Sequence, residues 1–178
     1  MFVRTFNIFA ILGVFILLSI ALTIQLNWHE LPCPMCLRQR FGFLCIAFGF
    51  LMNLRFGFKP SHYAIVLVSA LYVASMALWQ ISFHVIPGTG AYGSPVFGIH
   101  LYTWSFMIST AVILATSFVM AIDSQYKTTH SDTANTSCLV TTLFILLMLF
   151  IAANTLSVLF ECGFSRCPSN PTQYYFLK

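Results

Sequence analysis

The chain has 178 residues, of which 59% are hydrophobic, 16% aromatic and only 7% charged. A soluble domain is about 25% charged, so this composition cannot cover a water-facing surface, and it equally excludes a disordered chain. The net charge of +4 comes from eight scattered Lys and Arg; without a basic run they give no footprint for nucleic acid as a partner, which leaves an integral membrane protein.

A helical span takes about 20 mostly apolar residues. In chain order, five stretches qualify: 6–26, 34–54, 63–86, 96–122 and 138–160. They take up most of the chain and predict an all-α bundle forming a single membrane domain over 1–178, with a tail at 161–178. The first span reads as a retained helix. Its apolar run exceeds the roughly 7–15 residues of a signal-peptide core, and no A-x-A-like cleavage site follows it. Pro32, Gly57 with Pro60, and the Gly/Pro-rich stretch 87–95 mark the first three links as turns. Residues 123–137 form the long polar link, rich in Ser, Thr and Asp.

Orientation rests on the positive-inside rule. Arg4 precedes span one and Glu30 follows it, while Arg55 and Lys59 crowd the next link. This favours a cytoplasmic N-terminus. Crossing by crossing, spans one and five then deliver Cys33, Cys36, Cys162 and Cys167 to the outer face. Cys45 lies within span two and Cys138 opens span five on the inner side; both are expected as small packing residues. The outer face of a bacterial inner membrane is where disulfides persist.

Cys33-Pro34-Met35-Cys36 is a C-x-x-C, and Cys162 and Cys167 form a C-x-x-x-x-C. Two paired sets admit a zinc site or two bracing disulfides in a transporter or scaffold. A c-type haem needs His after the motif, and Leu37 stands there. A redox reading has local support. Pro34 suits the first position of a helix, which makes Cys33 the N-cap and puts Cys36 in the first turn, where helix N–H groups stabilise a thiolate. Arg40 follows four residues later on the same face. An arginine just inside the bilayer edge is a functional candidate by default; Arg38 points away and reads as a snorkelling anchor. His100 and Trp104, four apart at the start of span four, share a helix face and are candidates to flank a cofactor. They also fit an interfacial aromatic belt, and His29 and His84 fall near the same interface.

The segment Leu31-Pro32-Cys33-Pro34-Met35-Cys36-Leu37-Arg38-Gln39-Arg40, supported by Gly98-Ile99-His100-Leu101-Tyr102-Thr103-Trp104, resembles the disulfide bond formation protein B family. The likeness extends over spans one to four, and the tail is similar to that of one branch. The resemblance implies a four-helix core, with one helix more here. It implies an oxidoreductase of the bacterial inner membrane that reoxidises a periplasmic thioredoxin-like dithiol oxidase and reduces a membrane quinone, ubiquinone or menaquinone. It also implies two disulfides. A mobile Cys162–Cys167 pair would receive electrons from the partner and pass them to Cys33–Cys36, with Arg40, His100 and Trp104 around the quinone and no metal. In better-known members the second pair lies between spans three and four, whereas residues 87–95 hold no cysteine here. A dithiol quinone reductase of the vitamin K epoxide reductase kind is the alternative enzyme.

Overall fold

A computed structural model describes residues 2–28, 30–86, 88, 90–93, 95–126, 138–164, 167 and 174–177. Five α-helices follow one another: α1 Phe2–Asn27, α2 Pro34–Phe56, α3 Pro60–His84, α4 Leu101–Met120 and α5 Cys138–Cys162. All five are long and apolar enough to cross a membrane. No β-strand occurs among the described residues; the remaining regular elements are two short 3-10 turns, Asp123–Tyr126 and Tyr175–Leu177.

Helix α2 is the centre of the bundle, packing on α1, α3 and α5, while α4 packs on α3. Phe43, Ile46, Ala47, Phe50 and Leu51 of α2 are buried among Ile11 and Leu18 of α1, Val66 and Val73 of α3, and Leu143 and Leu147 of α5. Glycines make the α2–α3 contact close. A Cβ at Gly49 would lie 2.6 Å from Val66 Cγ2, and one at Gly42 would collide with Val73. Small residues at such a crossing let two helix backbones approach where no hydrophobic force separates protein from lipid. The outward faces are equally apolar: Phe9, Val68, Phe118 and Leu149 are all exposed, as suits a surface solvated by acyl chains.

The end of the bundle remote from the C-x-x-C holds a buried polar cluster. Asn53 Nδ2 donates to Asn7 Oδ1 at 3.2 Å, and His62 Nδ1 lies 3.2 Å from Asn53 Oδ1. The Tyr63 hydroxyl donates to Gln125 Oε1 at 2.9 Å, and Gln125 Nε2 to the Val119 carbonyl at 2.7 Å. These bonds tie α1, α2, α3 and the turn after α4 together where apolar packing thins out.

The fourth helix starts at Leu101 and not at Val96. Residues Val96–Ile99 close on themselves through paired backbone bonds of 2.9 and 3.1 Å, with Phe97 at φ 53° and Gly98 at φ 77°. Two successive residues at positive φ make a tight hairpin turn of the I′ kind, so the apolar run there cannot begin as helix. Most of the polar link at 123–137 lies outside the described residues.

Candidate redox site

The site is built on the start of α2. Pro34 occupies the first turn and Cys33 caps the helix, its Sγ accepting the Cys36 backbone N–H at 3.1 Å. Cys33 and Cys36 form a disulfide. The side chain of Gln80, from the last turn of α3, is aimed at it. Its Nε2 lies 3.3 Å from Cys33 Sγ and 3.6 Å from Cys36 Sγ, while its Oε1 accepts Gln39 Nε2 at 2.8 Å. Both glutamines are buried. The Gln39 bond turns the Gln80 amide so that its N–H faces sulfur, where it stabilises a thiolate better than a thiol.

Cys36 and Arg40 line one cavity of about 100 Å³, together with Leu31, Phe43, Tyr102 and Trp104. Arg40 is 8% exposed. Its guanidinium donates to Gln25 Oε1 at 2.7 Å and to the Ala21 carbonyl at 2.9 Å. Arg carries five N–H donors, so these two bonds fix the fork and leave donors for a ligand. Gln25 in turn donates to Ser157 Oγ at 2.7 Å and to the Tyr174 hydroxyl at 3.2 Å, binding α1, α2, α5 and the tail into one frame. Tyr92, from the link before α4, donates to the Leu31 carbonyl at 2.6 Å. Burial, with Glu161 and Glu30 adding their charge, pushes its hydroxyl pKa above the usual tyrosine value.

Thus Cys36, Arg40 and Trp104 meet in one cavity, and His100 does not line it. His100 is the N-cap of α4, and its ring stacks on Tyr102 at 5.3 Å, with His84 stacked 5.4 Å from the same tyrosine. It borders the cavity through Tyr102 and through Gly93, whose carbonyl lies 3.2 Å from His100 Nδ1. Trp104 is held by its Nε1 donating to the Val96 carbonyl at 3.1 Å. Arg38 is exposed, as a snorkelling side chain is; His29 lies outside the described residues. Cys45 is half-buried between α2 and α5, but Cys138 is exposed on the first turn of α5 and packs no core. Gln25, Gln80 and Glu161 carry no motif, Gln39 stands inside the quoted segment without a role assigned to it, and sequence reasoning misses all four. The only signal was their rarity as polar side chains inside apolar spans.

Cys162 and Cys167 form the second disulfide. Cys162 is 3% exposed, whereas Cys167 is half-buried. The expectation of a mobile tail falls mostly on residues outside those described. The described part folds back on α5: Phe176 meets Phe160 edge-on at 6.4 Å, and the Tyr175 ring covers Gly163, where it lies 2.8 Å from the position of a Cβ and the backbone has a φ of 60°.

A multi-pass helical bundle with a disulfide at a helix start and a second disulfide near its C-terminus defines a membrane protein of thiol–disulfide chemistry. The family profile described as Disulfide bond formation protein DsbB matches residues 3–91. The chain belongs to this family of oxidoreductases and is a membrane protein of disulfide formation. The match takes in α1, α2, α3 and the following link, and stops short of α4, α5 and the second cysteine pair. No curated protein and no solved structure matches the chain.

Proposed function

We propose that the protein takes electrons from a periplasmic thioredoxin-like dithiol oxidase and delivers them to a membrane quinone. The observation that carries this reading is the shared cavity of Cys36 and Arg40. Its walls are mostly apolar and aromatic, with Arg40 as cation, Cys36 as sulfur and Glu30 as an acid at its edge, and they suit a flat apolar head group with carbonyl oxygens. The cavity continues towards lipid: Leu17, Phe43, Leu101 and Trp104 also line a groove of about 500 Å³ between α1 and α4. Arg40 would hold the head group, with Trp104 beside it. A quinone supplies the oxidising power, accepting two electrons and two protons.

On the protein side, Cys167 is the more accessible sulfur of the tail pair, so the partner's thiolate is expected to attack there. The dithiol so formed reduces Cys33–Cys36 by exchange. Gln80 and the Cys36 backbone N–H, which donates to Cys33 Sγ, hold the resulting negative charge at sulfur. The test is quinone reduction driven by a reduced thioredoxin-like oxidase, with each cysteine replaced by Ser in turn. Loss of activity at Cys33, Cys36, Cys162 and Cys167 supports the relay; full activity of Cys36→Ser overturns it.

A further inference from the structure

Glu161 has no part in that relay, yet it stands beside it. It is 2% exposed, and neither carboxyl oxygen has a hydrogen-bond partner among the described residues. A buried carboxylate without hydrogen bonds is expensive, and such a group persists near an opposite charge or by taking a proton. Its position names the charge. Ser157 and Glu161 are four apart on α5 and share a face, and Ser157 accepts the Gln25 amide whose oxygen holds Arg40. Glu161 therefore stands one turn farther along the face that meets Arg40. Among the described residues, Arg40 from α2, Tyr92 from the link before α4 and Tyr174 from the tail are the titratable groups about this corner, and Glu30 acts on Tyr92 and lines the cavity of Arg40. Glu161 also directly precedes Cys162 of the tail disulfide.

We propose that Glu161 is the proton-holding residue of the redox site, taking up a proton when Cys33–Cys36 is reduced and giving it up when that pair is reoxidised. The balance is closed. Oxidising the tail dithiol forms its S–S bond and releases two electrons and two protons. Reducing Cys33–Cys36 breaks one S–S bond and consumes both electrons. One sulfur takes a proton and the other stays thiolate, held by Arg40, Gln80 and the helix start. The second proton goes to Glu161, whose carboxylate no longer has the Arg40 charge to itself. Reoxidation sends two electrons to the membrane acceptor with both protons, and Glu161 returns to its carboxylate. Glu161 exchanges no electrons; it keeps the buried charge near Arg40 constant through the cycle.

The inference rests on the thiol-oxidase reading, and the experiment separates the two. Infrared difference spectra between the disulfide and dithiol forms of quinone-free protein read the carboxyl directly. A protonated-carboxyl band is expected on reduction of the wild type, shifted in Glu161→Asp and absent in Glu161→Gln. With reduced partner and quinone, Glu161→Gln should lower turnover on the order of a hundredfold and leave KM for quinone unchanged. Glu161→Asp should restore most of the rate and its pH dependence. A wild type without the band, a band that survives in Glu161→Gln, or a Glu161→Gln pH profile like the wild type overturns the proposal. If Glu161→Gln fails to fold, Glu161→Asp decides alone: a shifted band supports Glu161, an unshifted one refutes it. A wild type that shows the band but reduces no quinone refutes the oxidase reading and leaves the proton site standing.

Discussion

Gln80 is the side chain whose amide faces both sulfurs of the C-x-x-C. A hydrogen bond to a charged group is worth about 1.5–3 kcal/mol, so Gln80→Leu should slow reduction of Cys33–Cys36 by roughly ten- to a hundredfold, read by rapid-mixing kinetics with a small dithiol. Unchanged kinetics would return Gln80 to simple packing. Arg40→Ala removes the one fixed cation of the cavity. It should raise KM for quinone by about the same factor on the same scale, whereas Cys45→Ser and Cys138→Ser should leave turnover intact. Tyr92 carries a pH effect with a defined sign. Its proton is held more tightly in the folded protein, so the stability this provides is complete below the unfolded tyrosine pKa of about 10 and is lost as pH rises through the raised folded value. Thermal unfolding in detergent should show a smaller alkaline loss in Tyr92→Phe than in the wild type; the part that remains includes Tyr126, whose hydroxyl pKa burial also raises.

The elements carry their own requirements. Gly49 lies where α2 meets α3, and its Cβ space is taken by Val66. Overpacking of this kind costs about 1–3 kcal/mol, so Gly49→Ala should lower the unfolding temperature, and adding Val66→Ala should recover part of the loss, the His62 carbonyl oxygen remaining 3.1 Å from the new Cβ. No recovery would mean the strain lies elsewhere. The tail pair is tested with two reductants on one preparation. Cys162→Ser with Cys167→Ser should abolish oxidation of the protein partner and keep oxidation of a small dithiol that reaches Cys33–Cys36 directly. Unimpaired partner oxidation would reduce that disulfide to a brace. The elements were also the most legible level of the sequence. Five apolar runs announce five helices, because lipid demands length and apolarity locally. Pro34 after Cys33 announces a helix start, because capping is a matter of neighbouring residues. The start of α4 was hidden, since Phe97 and Gly98 form a turn inside an apolar run. Gln39 and Gln80 are 41 residues apart and Gln25 and Arg40 are 15 apart; no periodicity joins them, and only packing brings such pairs together.

For the whole molecule, the counted crossings predict a cytoplasmic N-terminus and a periplasmic C-terminus. Reporter fusions after Asp123 and after Lys178 should report opposite sides; the same side for both would remove one crossing from the count. Gln25 ties α1, α2, α5 and the tail near Arg40, while the Asn7–Asn53–His62 cluster ties the other end. A bundle pinned at both ends moves little as a whole.

The two sulfurs of one disulfide look into different spaces. Cys36 lines the cavity of Arg40, and Cys33 lines a separate one with Phe83 and His84. Tyr92 borders both, with its hydroxyl anchored on Leu31. On the proposed relay it is the partition of a two-room site, in which donor and acceptor would take separate seats. Kinetics should then be double-displacement, with parallel reciprocal plots and no inhibition by either substrate in excess. Tyr92→Ala takes the wall down. Excess quinone should then slow dithiol oxidation competitively.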